Sequence, residues 1–137
     1  MGLSDAQTEM LVQIFHDMAP GWFHHGDCVG ADEQALKLVI DAVGPWTVSH
    51  PPTDPKMRAN TRNAQERQPK PYLARNDDIV DETDHLIACP GKLHEEGRSG
   101  TWATIRHARR TGKPITIIWR DGSVKHEPAR VAQGDSE

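Results

Sequence analysis

The 137 residues predict an α/β fold in three layers, with a mainly parallel sheet flanked by helices. Three observations point to it. Short apolar runs alternate with helical periodicities along the chain, and the links between them are mostly short and marked by Gly or Pro. The run His85-Leu86-Ile87-Ala88-Cys89 is apolar nearly throughout, as a parallel strand covered on both faces must be. The length suits one core, so we expect a single domain over residues 1–126 and a polar tail over 127–137.

Each element has a local reason. Ser4-Asp5-Ala6-Gln7 has the spacing of a capping box, and Leu11, Ile14, Phe15 and Met18 then recur at i, i+3, i+4 and i+7. This predicts an amphipathic helix over 5–18, ended by Pro20-Gly21. Trp22 to His25 reads as a short strand closed by Gly26. A second helix follows over 31–43, with Leu36, Val39, Ile40 and Val43 on one face and Gly44-Pro45 as its stop. Trp46 to Ser49 is another short strand, ended by Pro51-Pro52. Residues 53–70 are charged and poor in apolar side chains, with prolines at 55 and 69, and predict a long loop with one helical turn. Pro71 suits the first turn of a helix running to Val80. The strand at 85–89 ends at Pro90-Gly91. Ser99 caps a helix to Arg110, which Gly112 and Pro114 terminate, and Ile115 to Trp119 is the last strand before an Asp121-Gly122 turn.

Composition narrows the function. Sixteen Lys and Arg face 20 Asp and Glu, a net charge of −4 with a pI near 6.0, which excludes a protein that grips duplex nucleic acid through bulk positive charge. Nucleic acid is therefore an unexpected partner. No window approaches the roughly 20 apolar residues of a membrane span, and the first residues do not resemble a secretory leader, so a cytoplasmic location with no membrane contact is expected. Cys28 and Cys89 form neither a CxxC pair nor a disulfide framework and are expected as thiols. The charge is uneven: residues 1–50 and 76–97 are acidic, whereas 51–75 and 98–113 are basic. Arg98, Arg106, Arg109, Arg110 and Lys113 follow one another without an intervening acid. Such an island suits a small anion, or is a solvated helix face.

The first site candidate is His25-Gly26-Asp27-Cys28-Val29-Gly30-Ala31-Asp32, between a strand and the helix it feeds. Two glycines permit a tight turn and close approach, and amides at a helix start attract phosphate or carboxylate. The second repeats this arrangement: strand 85–89, Pro90-Gly91, then Arg98-Ser99-Gly100-Thr101 opening a helix. A cation, two hydroxyls and a Gly meet there. In a parallel sheet both turns lie at strand C-termini, on the edge where open α/β folds hold ligands.

These stretches carry a resemblance. "HGDCVGAD" at 25–32, "HPP" at 50–52, "RNDDIVDETDHLIACP" at 75–90 and "RSGTWATIRHARRTGKPITII" at 98–118 resemble, in order, the motifs of the SLOG superfamily. These are Rossmann-like nucleotide-binding proteins that include the DNA-processing protein DprA (Smf), LOG-type phosphoribohydrolases and small stand-alone bacterial and phage members of the YspA type. The resemblance implies a Rossmann-like sheet, a nucleotide or nucleotide-derived signal lying across the two Gly turns, and pairing of subunits into dimers or higher oligomers. Carried over by the resemblance, the site is Gly26, Asp27, Gly30, Ala31, Asp32, Arg75, Asn76, Arg98, Ser99, Gly100 and Thr101; Cys28, His50, Pro90 and Trp102, within or beside these stretches, complete the candidate ligand-binding set. Two departures stand out. Where LOG-type hydrolases carry a catalytic Glu this chain has Thr104, which puts N-glycosidic hydrolysis in doubt and leaves no catalytic residue assigned. Family members also commonly begin with a strand and turn before the first helix, so a partner subunit could complete the site. Binding without turnover is the leading expectation; LOG-like nucleotide processing and DprA-like binding of single-stranded DNA are the alternatives.

Other chemistry competes with plainer roles. Cys28 at a helix start could act as a nucleophile or be a small turn residue. Asp27 and Asp32 could hold Mg2+ beside a phosphate or bond a ribose, or Asp32 could simply favour the helix dipole. Trp102 could stack on a base at a pocket mouth or pack in the core. His24, His25, Cys28, His50 and Cys89 offer zinc-ligand atoms in no standard spacing, and adjacent His24 and His25 on a strand face opposite ways. No metal site is expected.

Overall fold

The structure, a computed structural model, describes residues 2–92, 97 and 100–131. Helix α1 spans Asp5–Met18, strand β1 Phe23–His25, α2 Ala31–Val43, β2 Thr47–Ser49, β3 Gln65–Glu66, α3 Tyr72–Asp81, β4 Leu86–Ala88, α4 Gly100–Thr111, β5 Ile115–Ile118 and β6 Val124–Glu127. The chain is mixed α/β, and its helices follow the sequence signals closely. The α1 capping box is complete: Gln7 N donates to Ser4 Oγ at 3.0 Å, and Ser4 N donates to Gln7 Oε1 at 3.0 Å. Ser4 Oγ also donates to the Arg120 carbonyl at 2.7 Å, tying this helix start to the far end of the chain. Pro71 is the N-cap of α3, one position before the expected first turn.

The strands form two sheets. In one, β1, β2 and β3 are all parallel, with His24 opposite Val48 and Val48 opposite Gln65. In the other, β4 is parallel to β5 and β5 antiparallel to β6. The expected mainly parallel pairing is therefore present in two small sheets, where one sheet was expected. β1 and β4 share no ladder; Phe23 and Ile87 each pack against the same apolar cluster. Two strands escaped the sequence reading. β3 is exposed and polar, and the segment assigned to the tail contributes Glu127 to β6.

Each face of β5 meets a core. Leu11, Phe15, Val39, Val43 and Ile118 pack together on the side of α1 and α2. Ile115 and Ile117 instead join Val80, Leu86, Ala88, Trp102, Ile105 and Ala108 on the side of α3 and α4. This is the period-two alternation of a strand covered on both faces. Full burial of each of these large apolar side chains is worth roughly 1.5–3 kcal/mol. No helix among the described residues is long and apolar enough to cross a membrane.

Candidate functional site

The first Gly turn leaves β1 at His25 and enters α2 at Ala31, and it is tightly closed. Asp27 takes a left-handed backbone, φ 51°, which Asp tolerates better than most residues. Its amide donates to His25 Nδ1 at 3.1 Å, the Cys28 amide to Asp32 Oδ2 at 3.2 Å, and the Val29 amide to the Met57 carbonyl at 2.9 Å. Three amides expected to face an anion are thus turned inward, leaving the α2 start at Gly30 and Ala31 as the part of the turn a ligand would meet. The long loop causes this by folding over the turn: Cys28 forms an isolated bridge with Arg58, and the Ala59 amide donates to the Asp27 carbonyl at 2.8 Å.

Asp27 is fully buried. Its Oδ1 accepts from Thr61 N at 3.0 Å and Thr61 Oγ1 at 2.6 Å, while Oδ2 lies 3.5 Å from Arg58 Nε without hydrogen-bond geometry. The expected Mg2+ or ribose role does not fit a carboxylate aimed into the covering loop. Asp27 is instead the post that anchors the loop.

Arg75 is the centre of the site. It lies on α3, yet only 6% of it is exposed, and its guanidinium ends between the first turn and the end of β2. Nη1 donates to the Gly26 carbonyl and, at 3.0 Å, to that of His50. Nη2 contacts Cys28 Sγ at 3.1 Å and Nε donates to Asn76 Oδ1 at 2.6 Å. Among the described residues no carboxylate forms an ion pair with it. Asp32, whose Oδ2 also lies over Gly26, gives that oxygen to the Cys28 amide. A Cβ on Gly26 would fall 2.7 Å from both Arg75 Cζ and Asp32 Oδ2, so Gly is required there for close approach.

One turn earlier on α3, Tyr72 packs on Gly100, where a Cβ would come 2.6 Å from its ring. Helix α3 therefore bridges the two Gly turns, Arg75 reaching one and Tyr72 the other. The structure brings together Gly26, Cys28, Asp32, His50, Arg75 and Asn76, with Gly100 joined through Tyr72. Pro90 is buried, and its carbonyl accepts from Gln7 Nε2 at 2.9 Å. Thr101 is half-buried beside Gly100. Arg98 and Ser99 lie outside the described residues.

Trp102 resolves towards the core. It is 1% exposed, packs against Trp119 at 5.7 Å between ring centroids and lies under Arg109, and it cannot stack on a base at a pocket mouth. Thr104 is likewise buried, its hydroxyl donating to the Gly100 carbonyl at 2.9 Å within the helix.

The side of the first sheet facing α3 carries a cluster that the sequence alone does not assemble: His24 and His50 are among its zinc-ligand candidates, but neither their pairing nor Glu82 is. His24 Nδ1 and His50 Nε2 are 2.9 Å apart, and Glu82 closes the group. Burial is the main cause that lowers both imidazole pKa values, that of His50 to about 4. Of the five residues first considered for zinc, His25 turns to the other face and bonds Asn63 Oδ1 at 2.6 Å, Cys28 is held by Arg75, and burial pushes the Cys89 thiol up to about 12. The missing signal was register. His24 pairs with Val48, so His50, two residues on, shares its face. No family model matches this chain, and no curated protein or solved structure does.

Proposed function

We propose that the chain binds a nucleotide or a nucleotide-derived signal where the first Gly turn, the start of α3 and the start of α4 converge, acting as a sensor, carrier or sequestering protein. Arg75 carries this reading. A buried guanidinium without an ion-paired carboxylate is costly unless an anion completes it, and it sits beside the start of α2, whose dipole favours the same charge. Asn76 beside it and Gly100 across Tyr72 supply polar and close-approach positions for the rest of such a ligand. In this reading the two sheets are halves of a SLOG-like, Rossmann-like arrangement in three layers. Arg98 and Ser99 stay candidate contacts by their place in the sequence, Mg2+ accompanies the phosphate, and a homodimer or higher oligomer completes the rim in the cytoplasm.

Two features weigh against the alternatives. Thr104 offers a helix-bonded hydroxyl where LOG-like nucleotide processing needs a carboxylate. Single-stranded DNA would need the basic segment over 51–75 as its groove, and three of its cations are already paired: Arg58 with Glu66 at 2.9 Å, Arg67 with Glu82 at 2.8 Å and Lys70 with Asp78 at 2.6 Å. Calorimetric titration with nucleoside monophosphates, ADP-ribose, NAD and cyclic nucleotides, with and without Mg2+, tests the proposal. Saturable binding of one class is expected, weakened by more than about tenfold in Arg98→Ala and abolished in Gly100→Asp, with no free base released. Absence of binding across the panel, or binding untouched by both substitutions, overturns it.

A further inference from the structure

We propose that His24, His50 and Glu82 form a binding site for a divalent transition-metal ion of the zinc type, on the side of the first sheet that faces α3. The three come from separate elements. His24 is the middle residue of β1, His50 follows β2 on the same face, and Glu82 caps the C-terminus of α3. One ligand atom from each lies within 4.8 Å of the others, with the two ring nitrogens at 2.9 Å. Tetrahedral zinc bound at about 2.0–2.1 Å sets its ligand atoms about 3.3 Å apart. Closing on an ion therefore needs the rings to part by a few tenths of an ångström and the exposed Glu82 side chain to swing in.

The chemistry of the donors matches the ion. Two imidazoles and a carboxylate suit borderline divalent ions over Mg2+ or Ca2+, which take oxygen ligands. Both imidazoles are held neutral by burial, the state that offers a lone pair. Without the ion, one ring must donate its proton to the other. On metal binding that proton moves to the far nitrogen of its own ring, so both facing nitrogens coordinate and no proton leaves the imidazoles.

Charged neighbours hold the carboxylates near the cluster. Arg67 donates through Nε and Nη2 to Glu82 Oε1, at 2.9 and 2.8 Å, and so orients the carboxylate while leaving Oε2 for the ion. Asp78, one turn earlier on α3, is held by Lys70 Nζ at 2.6 Å. Three protein ligands leave a fourth position for water or a bound anion, the pattern of reactive zinc centres and not of closed structural ones. His50 also gives its carbonyl to Arg75, so one residue joins this site to the proposed anion site; the metal assignment stands without the nucleotide reading.

Equilibrium dialysis of the full chain against Zn2+ near neutral pH decides the matter, with Co2+ absorption as a second readout. One Zn2+ per chain is expected, together with the visible absorption of a low-coordinate Co2+ centre. His24→Gln and Glu82→Gln should each weaken Zn2+ by more than about tenfold and bleach the Co2+ signal, while His16→Gln on the exposed surface of α1 leaves both intact. If His24→Gln fails to fold, Glu82→Gln decides alone. A wild-type chain that binds no Zn2+, or that binds it as tightly after Glu82→Gln, reduces the cluster to a hydrogen-bonded histidine pair and overturns the proposal.

Discussion

At the scale of single residues, Gly26 and Arg75 are one unit. The guanidinium reaches the Gly26 and His50 carbonyls only because no Cβ stands over Gly26, where it would crowd Arg75 Cζ and Asp32 Oδ2 at 2.7 Å. Neither neighbour can yield cheaply. Arg75 is held by four acceptors and Asp32 by the Cys28 amide. Gly26→Ala is therefore expected to cost about 2 kcal/mol, the range of overpacking in a filled site, read as a lowered urea midpoint at unchanged slope. A loss below about 0.5 kcal/mol, the level of an ordinary surface change, would mean that Arg75 swings away freely and that its buried position does not define the site. Trp102 depends on its neighbours in the opposite sense. Its place after Gly100-Thr101 left stacking and core equally open, and what decides is its company: Ile105 and Ala108, three and six residues on, share its buried face.

At the scale of elements, the loop between β2 and β3 matters as much as the turn it covers. Thr61 bonds the buried Asp27 carboxylate through both its amide and its hydroxyl, and Val29 and Ala59 add backbone bonds between loop and turn. Thr61→Val keeps the shape and removes the 2.6 Å hydroxyl bond from a carboxylate that solvent cannot reach. The expected loss is about 1–3 kcal/mol, with faster proteolytic cleavage within residues 53–64; unchanged stability and cleavage would show that the loop does not depend on Asp27. Such contacts mark the boundary of what was legible. α1 and α2 could be read to the residue because capping and 3.6-residue periodicity are local. β3 and β6 could not, since Gln65-Glu66 and Val124-Lys125-His126-Glu127 carry little apolar alternation. They are made by partners instead: Ser49 and Val48 for β3, and for β6 the β5 ladder with Arg109 gripping Glu127 at 2.9 and 2.8 Å. The Gly turns, Arg75 and Asn76 were legible as motif residues. The histidine pair was not, because it depends on the register of two strands joined across α2.

At the scale of the whole molecule, the histidines make the fold sensitive to mild acid. His24 and His50 lie beneath the first sheet and His85 against the second, where His85 Nε2 meets Thr116 Oγ1 at 2.8 Å, so both halves are involved. Burial, the largest cause for all three, pushes their pKa values below the ordinary 6.5. For His50, where the value falls to about 4, Glu82 and Asp78 raise it while His24 and Arg67 lower it further, and burial prevails. The sign follows directly. Below about pH 6.5 the unfolded chain binds protons that the folded chain refuses, so stability is complete above that pH and drains away as pH falls towards 4. For His50 the full loss is about 3 kcal/mol, on the scale of 1.4 kcal/mol per pKa unit. Glu127, held low chiefly by its hydrogen bond from Arg109, adds a second loss only below its ordinary 4.5. General charge repulsion grows over the same interval, because below the pI near 6.0 the eight His gain protons while carboxylates lose charge, so the comparison with His50→Gln is what isolates the buried imidazole. Urea midpoints measured from about pH 7 down to about pH 4.5 should therefore fall steadily, and His50→Gln should flatten the slope while lowering the neutral-pH value. A wild-type midpoint that stays level across this range would show that these imidazoles accept protons in place, and that their burial does not govern the acid response of the fold.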